Sequence, residues 1–200
     1  MKTPAYYDAV PAIAVTDPLA ELLGAAEDGV IEYRYLDAVK LTGHSCPTVA
    51  GAWRMTHDAL ARLYPHGLPR RGEIRVELRQ ALDEGVAGVV ASVVGLVTGA
   101  ANAGGFKGLA GRFGRQDLLA FGVPMPGDIR FTRLDTGQSV MFARRGLAVP
   151  RSVALTQRLH AAVAPDAPDA ARRAFAQAWS DWVAQLVDPA AAPEWIETRG

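Results

Sequence analysis

The chain's one cysteine, Cys46, stands two positions after one of its four histidines, in Thr42-Gly43-His44-Ser45-Cys46-Pro47. A thiol and an imidazole on a turn shaped by glycine and proline can share a soft metal ion. In an X-His-X-Cys turn alternate side chains can face the same way, so both could reach one ion at about 2.0 to 2.3 Å. The turn also runs into a helical pattern, and the start of a helix favours a thiolate nucleophile. Metal ligation and covalent attack are therefore the two chemistries on offer. One thiol excludes an intrachain disulfide, a zinc ribbon and any other four-thiolate site.

Two donors hold zinc poorly, so a third must come from elsewhere in the chain or from a partner. Asp83, Glu84 and His57 have suitable chemistry. His57 is disfavoured, because the helical pattern carries it roughly three turns, about 16 Å, along the axis. Asp83 and Glu84 stand where a Val-rich segment begins, and His44, Cys46 and Glu84 form the expected metal set. The plainer reading makes Cys46 a small buried apolar residue and His44 a turn residue satisfied by backbone.

A glycine-dense stretch is the second candidate. Gly99, Gly104, Gly105, Gly108, Gly111 and Gly114 surround Asn102, Phe106, Lys107 and Arg112. Glycine allows backbone to approach a ligand closely, and Lys107 with Arg112 could neutralise an anion there. Asn102 would line the ligand side. The stretch is not a P-loop, because Phe106 precedes Lys107 and Gly108 follows it. Nor is it a dinucleotide fingerprint, since no strand leads straight into a G-x-G-x-x-G turn and helix. The plainer reading is a packed loop with a solvated Lys107. Arg70-Arg71 and Arg144-Arg145 read as solvated pairs, and His66 and His160 as isolated surface residues.

Around these candidates the pattern switches repeatedly between strand and helix periods. Asp17-Pro18 reads as a helix start, with Asp as the cap and Pro at the first helical position. Val30 to Tyr35 alternates as a strand, Pro47 to Leu63 has helical spacing, and Glu73 to Leu78 alternates again with Ile74, Val76 and Leu78 inward. Val86 to Val97 has no polar face; its length favours a buried helix although its valines favour a strand. Leu118–Val123, Asp128–Leu134 and Ser139–Arg144 read as strands, the last two joined by a turn at 135–138. Helices are expected over Ser152–Val163 and Pro168–Leu186, the second with Phe175, Trp179 and Trp182 on a stripe suited to a core or a dimer face. Strands and helices mix without regular βαβ alternation, which predicts an α+β fold with a mixed or antiparallel sheet packed on helices. The expected division is a core over 1–149, a helical C-terminal extension over 150–187 and a loose tail over 188–200.

Composition narrows the partners. Lys plus Arg and Asp plus Glu both number 21, so the net charge is zero and no electrostatic drive toward nucleic acid exists. A neutral surface tolerates self-association, and a homodimer is expected. The first residues lack the basic-then-apolar pattern of a signal peptide, and Val86–Val97 is too short to span a bilayer. Cytoplasm and no membrane partner are the expectations.

Gly43-His44-Ser45-Cys46-Pro47, followed by a small-residue helix containing Gly51, resembles the G-H-x-C-P-G-x-x-x-G signature of the FmdE-like family, named for a component of formylmethanofuran dehydrogenase. That family continues with a Val-rich helix, a T-G-Cys-Thr element and a glycine-rich stretch. Here these correspond to Val97-Thr98-Gly99-Ala100-Ala101 and Gly104-Gly105-Phe106-Lys107-Gly108, so the resemblance covers roughly Val30 to Val123. It implies a dimeric α+β protein with a metal centre, zinc by expectation, built on His44 and Cys46.

Three departures bear on that centre. Ala81-Leu82-Asp83-Glu84-Gly85 and Ala100 stand where the family often has further cysteines, and Thr48 stands where Gly is usual. No cysteine follows Cys46, so the family's C-terminal zinc finger is not expected. Any metal would then take oxygen ligands or water beside His44 and Cys46, leaving the open site that metal catalysis requires. The resemblance implies a role in metal or cofactor handling, or as accessory to a redox enzyme; nothing suggests molybdopterin or iron–sulfur ligation. The alternative is a small-molecule enzyme in which a Cys46 thiolate or metal-bound water attacks while Lys107 and Arg112 hold an anionic substrate. An interaction module that keeps the motif only for packing is the third reading.

Overall fold

A computed structural model of the chain describes residues 2–147, 149–193 and 195–197. Strand β1 (Ile13–Thr16) leads into helix α1 (Pro18–Leu22), where the Asp17 carboxylate accepts from the Leu19 and Ala20 N–H groups as the cap requires. Strand β2 (Val30–Tyr33) pairs antiparallel with β1, and helix α2 (Tyr35–Thr42) follows at once. Helix α3 (Pro47–Leu63) has the expected bounds and buries Val49, Ala52, Trp53, Thr56, Leu60 and Leu63 on one face.

Next come β3 (Ile74–Leu78) and helix α4 (Ala87–Thr98), so the Val-rich run is helical. It buries Ala87, Val90, Ala91, Val93, Val94 and Val97 while Ser92 is exposed, and burial of that face outweighs the valines' weak strand preference. The glycine-dense stretch leads to β4 (Leu119–Ala120), β5 (Ile129–Arg133) and β6 (Ser139–Arg144). The strand expected over Leu118–Val123 is cut short because the chain turns at Gly122, where φ is +68°. Helices α5 (Val153–Val163) and α6 (Asp169–Val187) pack against each other, and β7 (Trp195–Glu197) closes the order.

The larger sheet runs β4-β3-β5-β6-β7, parallel between β3 and β4 and antiparallel elsewhere. Its register sets Glu77 opposite Arg130, whose Nε and Nη2 reach the carboxylate at 2.7 and 2.8 Å. The other face presents Ile74, Val76, Leu78, Ile129, Phe131 and Phe142 to α3 and α4, and the core lies between them. The architecture is α+β, with a mixed sheet packed on helices.

One expectation changes. The loose tail is corrected over Trp195–Glu197, which pairs with β6 because Trp195 finds a buried seat edge-on to Phe142, centroids 6.1 Å apart. Glu194 and the last residues of that tail, 198–200, lie outside the described residues. The aromatic stripe of α6 follows the core alternative: α6 packs on α3, with Trp182 buried and Phe175 and Trp179 partly buried against the core. No described helix is long and apolar enough to cross a membrane.

Candidate functional site

The His-x-Cys turn is built by the end of α2 and the start of α3. Gly43 takes the left-handed conformation that ends α2, with φ +75°. The Thr42 hydroxyl lies 2.9 Å from the Ala38 carbonyl and 3.0 Å from the His44 carbonyl, which draws the turn in. His44 Nδ1 lies 2.9 Å from the Thr42 carbonyl. A carbonyl only accepts, so Nδ1 carries the proton in this contact and Nε2 is the nitrogen left to face a metal. The ring is exposed.

Ser45, between the two candidate ligands, is held from three directions. Its hydroxyl is 2.7 Å from the Tyr35 hydroxyl and 3.2 Å from that of Tyr6, and its carbonyl accepts the Trp179 indole N–H at 2.8 Å. Tyr35 is fully buried; burial pushes its phenol up, against the opposing pull of the Ser45 hydrogen bond. Burial likewise pushes Tyr6 up to about 12. Cys46 then caps α3 in an extended conformation, with Pro47 at the first helical position and the Cys46 carbonyl accepting from Ala50 N–H at 2.9 Å. Its thiol is half-buried at the edge of the core and free of any disulfide.

The other predicted residues have settings of their own. Glu84 Oε2 accepts from Ala81 N–H at 3.2 Å and Oε1 is 3.5 Å from Gln80 Nε2, so it closes the approach to α4. Among the described residues no group of three or more His, Cys, Asp or Glu side chains could hold a metal ion, so Glu84 does not join His44 and Cys46 in one. Asn102 shapes the glycine-dense loop: its Oδ1 accepts from Gly104 N–H at 3.0 Å and its carbonyl from Gly105 N–H at 2.9 Å. Lys107 is exposed. Arg112 lies over the Phe113 ring, 4.8 Å from its centroid, and lines a cavity that neither Cys46 nor Lys107 reaches.

The chain matches no known protein family and no curated protein.

A further cluster, invisible to sequence reasoning, joins three distant parts of the fold. Asp17, only 3% exposed, meets Arg71 Nη1 at 2.9 Å and Arg115 Nη2 at 2.6 Å. Arg71 Nη2 also lies 3.3 Å from the Leu96 carbonyl, near the C-terminal end of α4 where the helix dipole favours a cation. Burial alone raises the Asp17 carboxyl. The Arg71 hydrogen bond, the Arg115 charge and the two N–H groups outweigh it and hold the carboxyl below its usual range. Burial lowers Arg115; Asp17 opposes that, and the like charge of Arg71 adds to it.

Gly72 makes this arrangement possible. It has φ +83°, and a Cβ there would fall on the Arg115 guanidinium. The reading of Arg70-Arg71 as a solvated pair is corrected for Arg71, whose side chain is 23% exposed, while Arg70 stays solvated and pairs with Glu73 at 3.0 Å. The one local signal was the Asp17 cap. Its partners lie 54 and 98 residues away and carry no local pattern.

Proposed function

We propose that the His44-Ser45-Cys46 turn is a metal site of the FmdE-like type, and that the protein handles a metal or cofactor or serves as accessory to a redox enzyme. The hydrogen bond from His44 Nδ1 to the Thr42 carbonyl carries the reading, because it leaves Nε2 as the ring atom able to bind a metal. Support comes also from the hold on Ser45, which fixes the backbone between the two donors. The order of the GHxCP motif, the Val-rich helix and the glycine-dense stretch supports the family assignment.

The donor set fits zinc as two of its ligands, an imidazole nitrogen and a thiolate. Water or a second copy of the chain supplies the remaining positions. A metal so held provides Lewis acidity or a bound water; His44 and Cys46 supply its attachment and Ser45 their spacing. The enzyme reading with Cys46, Lys107 and Arg112 acting together is the weaker one, because Arg112 lines a cavity without the other two.

Elemental analysis of untagged protein purified without chelator tests the proposal. Near-stoichiometric zinc is expected in the wild type, and little in Cys46→Ser or His44→Ala at unchanged circular dichroism. Metal-free wild type that also fails to take up zinc on reconstitution sinks it. Light scattering of the zinc-loaded and metal-free protein then tells whether a second copy completes the site.

A further inference from the structure

The cavity lined by Arg112 has no part in the metal reading. It is about 270 Å³, and Pro18, Gly72, Phe113 and Gly114 line it together with Arg70, Arg71, Arg112, Arg115 and Glu73. Four guanidinium groups around one small space is a concentration of charge in a chain whose net charge is zero.

The charges do not cancel locally. Glu73 answers Arg70 at 3.0 Å. Asp17 has one negative charge to share between Arg71 and Arg115, of which Arg115 is only 7% exposed. Arg112 takes part in none of the ion pairs among the described residues and rests on Phe113. Two positive charges are therefore left over, one of them in the buried cluster that forms the floor. An uncompensated cation in such surroundings is costly, and an anion entering from solvent would offset that cost.

The loop that carries Arg112 and Arg115 is held in strained backbone. Ala110, Phe113 and Asp117 have φ of +48°, +61° and +57°, and such a conformation is rare for a side chain as bulky as Phe113. A Cβ on Gly108 would collide with the Arg112 carbonyl, so the loop closes on itself at this point. The strain and the glycines together present Arg112 and Arg115 on the same cavity.

We propose that this cavity binds a compact dianion, a phosphomonoester or free phosphate, between Arg112 and the Asp17–Arg71–Arg115 cluster. Guanidinium forks match the geometry of phosphate oxygens, and two surplus charges match a dianion better than a monocarboxylate. At about 30 Å³ per liquid water, the space holds roughly nine waters, room for a phosphate on a short carbon stem.

Isothermal titration calorimetry of the full chain at about pH 8, where phosphate and its monoesters are chiefly dianionic, is the test. The probes are inorganic phosphate, glycerol 2-phosphate and acetate at matched ionic strength. Saturable binding of phosphate or the ester is expected with Kd of about 1 mM or below. The tighter of the two identifies the source of the group. Arg112→Ala should weaken binding about tenfold, Arg112→Lys less, and Arg145→Ala, which changes an exposed arginine outside the cavity, not at all. Arg112 is exposed, so its variants should keep the wild-type melting curve even if Arg115 variants do not fold. No saturable binding by the wild type, equal binding by Arg112→Ala, or acetate binding as tightly as phosphate would each overturn the proposal.

Discussion

Trp179 donates its indole N–H to the Ser45 carbonyl at 2.8 Å, joining the last long helix to the His-x-Cys turn across 134 positions of chain. The bond gives α6 a purpose beyond covering the core. It clamps the residue between the two candidate ligands, and the Tyr6 and Tyr35 hydroxyls grip the same serine from the other side.

Trp179→Phe keeps most of the packing and removes that bond. A loss of about 1 kcal/mol is expected, read from the urea midpoint. Cys46 should also react faster with a thiol reagent in the native protein, since the turn is freed on the α6 side. Unchanged reactivity would show that Trp179 packs without restraining the turn.

Tyr35→Phe removes a buried hydroxyl from the same serine and should cost about 1 to 2 kcal/mol, partly relieved because Tyr6 remains. His44→Ala should cost far less, because its exposed ring only touches its own turn. Equal costs for the two variants would contradict this account of what supports the site.

Alkaline pH should destabilise the fold. Burial raises the phenols of Tyr6, Tyr33, Tyr35 and Tyr64 above their unfolded value, Tyr6 to about 12. The unfolded chain therefore releases these protons first. Their contribution is complete below about pH 10 and is lost as pH rises toward the folded values. Denaturation midpoints should fall across this range as the phenolate absorbance rises. A flat midpoint up to pH ~12 would count against the buried hydroxyls.

Asp17→Asn leaves Arg71 and Arg115 without their shared carboxylate and should cost about 3 kcal/mol or more. The Asp17 carboxyl lies below its ordinary value in the folded state, so its contribution is present above the unfolded value near pH 4. It is lost as pH falls through the folded value. Wild-type stability should drop on acidification through this region, and Asp17→Asn should drop less.

Gly72→Ala places a methyl on the Arg115 guanidinium at a backbone φ of +83°. Strain alone costs about 1 to 3 kcal/mol, and the displaced arginine adds to it. Gly137→Ala, at φ +72° with open space around it, isolates the backbone part. A Gly72 variant no worse than the Gly137 variant would show that Arg115 moves aside freely.

Local patterns located most of the elements. The bounds of α3 and β6, the Asp17 cap and the inward face of β3 follow from spacing, capping and alternation, whose physics acts over one to three turns of chain. Strand β1 and helix α2 carry little local signal, because both are short and Arg34, at the N-cap of α2, is not a usual capping residue. The Val-rich run is settled as a helix by its packing on α2, α3 and β3, which no window of sequence contains.

By itself the sequence determined the α+β class, the position of the His44-Ser45-Cys46 turn at a helix start, and the glycine-dense stretch with Arg112. Only the tertiary structure decided that Ser45 is held by Tyr6, Tyr35 and Trp179, that Trp195–Glu197 completes the sheet, and that Asp17 gathers Arg71 and Arg115 beneath a cavity. Those contacts form between segments far apart in the chain. They depend on how packed elements meet, and a single sequence records no pattern for a hydrogen bond or ion pair closed over such distances.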